Sequence, residues 1–315
     1  MKPEILLVAR IYAPTRAALE EEYVVHDLTA ARDPTALMKE VAARVRGTVT
    51  TGLVGFDRAR MEALPGLEII ASFGTPNGTV DLAAAKERGV IVTRTPDAIQ
   101  ELVAELAIGL AVAIMRKVAE TDRFVRAGGW LAQAPPMGVG LHGKTCGIIA
   151  MGRIGRGIAR RAEAFGMAVC YHGPRRKSDV SWEYYADLEE MARRCDCLMV
   201  TCPLKPETRG LVSARVLDAL GPKGFLVNVA RGPVVEEGAL IDALVRGRIA
   251  GAALDVFWDE PRVPEALTPL DNVVLTPHMG TATVDVREER GRKVLANLRA
   301  HFAGKLVPYP LASDG

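Results

Sequence analysis

Short apolar runs alternate with stretches of helical periodicity along nearly the whole chain, and this limits the fold more than any other feature. Runs at 5–8, 23–25, 48–50, 68–71 and 90–92 are separated by helical segments such as 58–63 and 81–88. A second series follows at 145–150, 168–172, 197–202, 224–230, 249–256 and 273–276. Runs this short and continuously apolar read as strands buried on both faces. Strands that alternate with helices pair in parallel through crossover connections. The expected fold class is α/β, with two doubly wound parallel sheets.

Two series of strands imply two domains, and 315 residues is long for a single core. The helical stretch 99–118 divides them; Thr95, Pro96 and Asp97 open it with cap and first-turn signals. It is apolar around most of its circumference and is expected to be buried. A loop rich in Gly and Pro, 128–140, leads into the second series. The last stretch, 284–302, reads as a long amphipathic helix, too short for a domain and expected to pack on the first series. The layout is then a discontinuous domain of 1–98 with 284–315, and an inserted domain of 99–283.

Composition removes several function classes. Apolar residues make up 49%, charged residues 25%, and the formal net charge is only +2, so no nucleic-acid or membrane partner is expected. No apolar run approaches the ~20 residues that span a bilayer. The opening MKPEILLVAR reads as a buried strand rather than a targeting segment, which makes a cytoplasmic location the expectation. The five cysteines include no CxxC pair; Cys195 and Cys197 start an apolar strand, so buried thiols are expected and no metal site.

In an open parallel sheet, ligands bind beyond the carboxyl ends of the strands, where helix N-termini point at them. The chemistry of the second series collects there. Its first strand ends in Ala150, Met151, Gly152, Arg153, Ile154 and Gly155 and opens an apolar helix. The bare glycine spacing is weak evidence, but the strand–turn–helix context points to a dinucleotide pyrophosphate. Gly152 allows backbone approach and Gly155 allows helix and strand to pack; a helix-packing turn without ligand is the bland alternative. Ala150 stands where such a turn usually has glycine.

The second strand ends in Gly173, Pro174, Arg175, Arg176 and Lys177. Selectivity for NAD normally needs Asp or Glu at that strand end for the ribose hydroxyls. Glycine followed by guanidinium groups suits a 2′-phosphate, hence NADP(H) over NAD(H); the alternative is a solvated basic loop. His278 ends the last strand with Glu260 on the neighbouring loop. A carboxylate beside an imidazole favours its protonated form, making a proton donor; a lone histidine is otherwise a satisfied surface or core residue. Arg231 follows the very apolar strand 225–230 and is expected to have a buried anionic partner, either a substrate carboxylate or an interdomain ion pair.

Together these segments resemble the D-isomer-specific 2-hydroxyacid dehydrogenase family over nearly the whole chain. The resemblance is carried by GRIGRGIARRAEAFGM (152–167), TCPLKPETRGLV (201–212), VNVARGPVVEEGAL (227–240), GAALDVFWDEP (251–261) and TPHMGTAT (276–283). It implies a Rossmann-type cofactor domain inserted into a flavodoxin-like substrate domain, with the long helices as a hinge. Arg231, Glu260 and His278 form the implied catalytic trio. Around the dinucleotide it places Gly152, Arg153, Ile154 and Gly155, then Gly173 to Arg176, then Thr201, Cys202, Pro203 and Thr208. Val229, Ala230, Arg231, Asp255 (toward the nicotinamide carboxamide), His278 and Gly280 complete that surface. Within the family the 173–176 sequence looks like the NADPH-preferring glyoxylate/hydroxypyruvate reductases, and Glu260 argues against a formate dehydrogenase. The regulatory domain of longer phosphoglycerate dehydrogenases is not expected, and a homodimer is.

One segment departs from the pattern. Thr75, Pro76, Asn77 and Gly78 occupy the loop that usually offers two amides to the substrate carboxylate, and proline has no N–H. Thr75, Pro76, Asn77 and Arg231 remain the expected substrate contacts. The activity expected is hydride transfer between NADP(H) and a small 2-keto or 2-hydroxy acid; a dinucleotide-sensing, corepressor-like protein of the same fold is the rival reading.

Overall fold

The computed structural model describes residues 2–76, 78–96 and 99–311. Contacts divide the chain into two units, Met1–Asp97 with Ala282–Gly315, and Ala98–Thr281. The cap residue expected at Asp97 lies outside the described residues.

The first unit alternates β1 (Glu4–Leu7), α1 (Ala13–Glu22), β2 (Val24–Asp27), α2 (Pro34–Val41), β3 (Val45–Thr51), α3 (Arg58–Glu62), β4 (Ile69–Phe73), α4 (Leu82–Glu87) and β5 (Ile91–Thr93). Every pairing is parallel, in the order β2-β1-β3-β4-β5, which is the flavodoxin-like doubly wound pattern. The side-chain period of two sorts each strand between two cores. Leu6 and Ile70 pack with Phe56, Met61 and Leu64 on one face. Ile5, Leu7, Ile69 and Phe73 pack on the other against Val294, Leu295 and Leu298 of the final helix, Val284–Phe302. Asp33, Asp57 and Asp81 cap α2, α3 and α4 by accepting backbone N–H bonds, which is why those helices begin where they do.

The second unit comprises α5 (Ile99–Met115), α6 (Val118–Arg126), β6 (Thr145–Ile149), α7 (Arg153–Ala164), β7 (Ala168–His172), β8 (Glu183–Tyr185) and α8 (Leu188–Ala192), followed by β9 (Cys197–Val200), α9 (Ala214–Leu220), β10 (Phe225–Asn228), α10 (Glu237–Val245), β11 (Gly251–Leu254) and β12 (Val273–Leu275). Its seven strands are parallel in the order β12-β11-β10-β9-β6-β7-β8. The order reverses between β9 and β6, as in a Rossmann fold. β9, β10 and β11 are buried throughout, which accounts for their unbroken apolar runs.

Two expectations are corrected here. The edge strand β8 has only three residues, none fully buried, so it lacks the apolar run that marks the others. The helix expected over 99–118 stops at Met115, because Lys117 turns into the left-handed region at φ 54° and α6 starts anew. Where α5 crosses α7, Gly157 faces Ala104 so closely that a Cβ there would sit 2.9 Å from the Ala104 methyl.

Candidate active site

Because all seven strands of the second unit run the same way, their carboxyl ends form one edge. Along it, in sheet order, come His278 after β12, Asp255 and Glu260 after β11, Arg231 after β10, Thr201 after β9, Gly152 after β6 and Gly173 after β7. The sequence scatters these residues over more than a hundred positions; the topology sets them on adjacent strand ends about 4.8 Å apart.

Glu260 Oε2 lies 2.6 Å from His278 Nδ1, while its Oε1 accepts the Phe257 N–H at 3.0 Å. The carboxylate is thus fixed at one oxygen and bound to the imidazole by the other, and among the described residues Nε2 has no hydrogen bond. His278 adopts φ 50°, a left-handed backbone uncommon for a residue with a side chain. Asp255 holds this turn: only 2% exposed, it accepts from the Thr276 hydroxyl at 2.6 Å, the Met279 N–H at 2.8 Å and the Gly280 N–H at 3.0 Å. It therefore braces the backbone on the C-terminal side of His278, a role that the sequence did not disclose.

Arg231 is exposed. β10 ends at Asn228, so the arginine lies beyond the sheet, with Nη1 donating to its neighbour's carbonyl, Ala230 O, at 2.6 Å. It makes no ion pair among the described residues, so the ion-pair alternative is not what occupies it there. The fully buried Asn228 sets the turn, accepting from Ala230 N–H at 3.0 Å and donating to Arg231 O at 3.2 Å. Its signal was a polar side chain inside an apolar run. Gly232 lies against the backbone of Phe257 and Trp258, where any Cβ would overlap the Phe257 carbonyl, so glycine brings the Arg231 turn against the loop that carries Glu260.

At the other half of the edge, Gly152 caps α7 and a Cβ there would meet nothing within 4 Å. Gly155, in contrast, presses on the carbonyl oxygen of Ala150. Gly155 thus permits helix and strand to pack closely, while the start of α7 at Gly152 is uncrowded. Ala150 adopts φ 77° despite its methyl group. The Thr201 hydroxyl spans Ile149 O and Ala150 O at 2.9 Å each and ties the turn to β9. Arg153 is exposed and Ile154 half-buried beside it.

Gly173 is half-buried, with Pro174, Arg175 and Arg176 exposed. Cys202, Val229, Ala230 and Gly280 are buried and Pro203 exposed; burial pushes the Cys202 thiol up to about 11. The Thr208 hydroxyl is engaged within its own loop, donating to Pro203 O at 2.7 Å and accepting from Lys205 N–H at 2.8 Å. The distribution of charge is telling. Arg153 at the start of α7, and Arg175, Arg176, Arg209 and Arg231 in loops at this edge, make no ion pair among the described residues, whereas Arg156, Arg160, Arg161, Arg246 and Arg248 each do. Unneutralised guanidinium groups along a strand edge suit an anionic ligand.

In the first unit, Thr75 is exposed and Pro76 buried after β4, and Asn77 lies outside the described residues. The preceding amide, Gly74 N–H, donates to the Thr95 hydroxyl at 2.7 Å. Among the described residues no group of three or more His, Cys, Asp or Glu side chains is placed to hold a metal ion, and no helix is long and apolar enough to cross a membrane.

Residues 108–280 match the family model described as D-isomer specific 2-hydroxyacid dehydrogenase, NAD binding domain. The chain belongs to that family. This dehydrogenase is 41% identical over 307 residues to a protein of Arabidopsis thaliana named glyoxylate/hydroxypyruvate reductase A, covering 98% of each chain. Its fold matches a 2-hydroxyacid dehydrogenase from Ketogulonicigenium vulgare at TM-score 0.88 and 38% identity, over 99% of each chain. It also matches the NADPH-dependent glyoxylate/hydroxypyruvate reductase of Sinorhizobium meliloti, solved with NADP and malonate, at TM-score 0.81 and 38% identity, over 99% of this chain and 97% of that one.

Proposed function

We propose that this dehydrogenase reduces small 2-keto acids of the glyoxylate and hydroxypyruvate type, prefers NADPH to NADH, and uses Arg231, Glu260 and His278 as its catalytic residues. The observation that carries the reading is the 2.6 Å contact of Glu260 with His278 Nδ1, at a strand end two places from Arg231.

A bound reduced nicotinamide supplies the hydride to the keto carbon. The residues fit such a group: the uncrowded Gly152 at the start of α7 would receive the pyrophosphate, and the strand ends from β6 to β12 would hold the rest of the dinucleotide. Arg231 pairs with the substrate carboxylate and polarises the keto oxygen, where its charge stabilises developing negative charge. His278 gives a proton from Nε2 to that oxygen. Glu260 keeps the ring oriented through Nδ1 and favours a positive charge on it.

Substrate and coenzyme rest on different support. The names of the Arabidopsis and Sinorhizobium relatives support a glyoxylate or hydroxypyruvate substrate. Thr75, Pro76 and Asn77 are the proposed substrate loop, in which Pro76 has no N–H to offer a carboxylate. The NADPH preference is supported by Gly173 in place of an acid and by Arg175 and Arg176, both exposed and unpaired among the described residues. One arginine–phosphate contact favours NADPH by about 10- to 150-fold, the lower end on a solvated loop. The exposed Trp130, Leu131 and Met137 support a homodimer, and the cytoplasm is the proposed location.

Following loss of reduced coenzyme with glyoxylate, hydroxypyruvate, hydroxyphenylpyruvate and 2-ketogluconate tests both halves. Turnover of at least one acid with a higher kcat/KM for NADPH is expected. No turnover on any would overturn the reading, and equal kcat/KM for the two coenzymes would overturn its coenzyme half.

A further inference from the structure

The loop that carries Arg175 and Arg176 is anchored at both ends by tyrosine hydroxyls that the sheet itself does not need. Tyr171 on β7 and Tyr184 on β8 are direct cross-strand partners, with ring centroids 5.3 Å apart. The Tyr184 hydroxyl donates to Gly173 O at 3.1 Å, the first carbonyl beyond β7. The Tyr171 hydroxyl, on a side chain only 1% exposed, accepts the Lys177 N–H at 2.7 Å. Further along, Asp179 pairs with Arg156 of α7 at 2.8 Å, and that hydrogen bond holds the carboxyl below its usual range. Between the two hydroxyls, Pro174, Arg175 and Arg176 arch into solvent without an ion pair among the described residues.

We infer that Tyr171 and Tyr184 are positioning residues for coenzyme choice: their hydroxyls hold the 173–177 loop so that Arg175 and Arg176 face the ribose 2′-position before any ligand arrives. This rests on the reading that those arginines receive the 2′-phosphate. The physical reason is preorganisation. An exposed loop must lose backbone freedom to bring two guanidinium groups onto one phosphate, and a loop already fixed at its first carbonyl and at Lys177 N–H has lost that freedom on folding. A coenzyme lacking the phosphate gains nothing from this order, so the hydroxyls affect NADPH and leave NADH untouched. Rings alone fill the core, and phenylalanine would pack equally well at both positions. It is the oxygens that need a purpose beyond packing.

Tyr184→Phe, Tyr171→Phe and the double variant keep the rings and remove the oxygens. Binding of NADPH, NADH, 2′,5′-ADP and 5′-AMP would be titrated to each intact protein, with thermal melting to monitor the fold. Tyr184, half-buried on the edge strand, is the variant least sensitive to packing. The expected result is a Kd for NADPH and 2′,5′-ADP raised about 3- to 10-fold per hydroxyl, with NADH and 5′-AMP within twofold of the parent. Unchanged binding, or equal losses for both coenzymes, would overturn the inference. An Arg175→Ala, Arg176→Ala variant run alongside separates it from its premise. If that variant loses the NADPH preference while the tyrosine variants keep it, the tyrosine inference alone falls. If the arginine variant also keeps it, the coenzyme reading falls and takes the inference with it.

Discussion

His278 concentrates the residue-scale chemistry: a left-handed backbone, a carboxylate on Nδ1 and, among the described residues, no hydrogen bond at Nε2. His278→Ala should lower kcat by about 100-fold or more while coenzyme binding persists, since general acid catalysis contributes roughly 10²–10⁴-fold. Glu260→Gln keeps the hydrogen-bonding shape and loses the charge, so its kcat should fall less. Loss of coenzyme affinity in His278→Ala, by titration, would mean the residue shapes the site rather than the proton transfer. Ala150 shows the opposite economy, a methyl group held at φ 77° where glycine would sit unstrained. Ala150→Gly should raise stability by about 1 kcal/mol, read as a higher urea midpoint, because relief of left-handed strain exceeds the added chain entropy.

At the scale of elements, two strand ends make contrasting demands on glycine. Gly155 sits against the Ala150 carbonyl, so Gly155→Ala must push α7 away from the β6 turn. The expected outcome is a loss of about 2 kcal/mol in stability and weaker binding of either coenzyme, measured by melting and titration. Gly173 is different, because a Cβ there meets nothing within 4 Å. Gly173→Asp should therefore fold normally and place a carboxylate at the proposed ribose site. Its ratio of kcat/KM for NADPH over NADH should fall about 10-fold or more through repulsion of the phosphate. An unchanged ratio would show that the end of β7 does not face the ribose.

For the molecule as a whole, buried acids with raised proton affinity set the alkaline limit. Burial pushes Tyr23 up to about 12, Cys197 to about 12 and Cys202 to about 11. Each holds its proton in the folded state at a pH where the unfolded chain has released it. Their contribution is complete below about pH 9 and is lost as pH rises toward 11–12. Urea midpoints should be level from pH 7 to 8.5 and decline steadily above 9; a level profile to pH 11 would contradict the burial. All five cysteines are buried and free, so a thiol reagent should label the native protein slowly and reach five thiols only on unfolding.

The sequence by itself determined the class of fold, because a strand buried on both faces must be continuously apolar, and β9, β10 and β11 announce themselves that way. It also determined the turn after β6, since Gly155 answers a packing constraint that operates within one strand–turn–helix unit. Residues 260 and 278 were legible as a pair from their places after two successive strands; their 2.6 Å contact exists because β11 and β12 are neighbours. Tertiary structure alone decided the exposure of Arg231, the bracing of the His278 turn by Asp255, the edge strand β8 and the two tyrosine hydroxyls on the 173–177 loop. Each of these depends on how side chains and backbone meet in three dimensions, across 6 positions for Tyr171 with Lys177 and 25 for Asp255 with Gly280. Periodicity reports which face of an element is apolar; it carries no information about which polar group on another element will meet it.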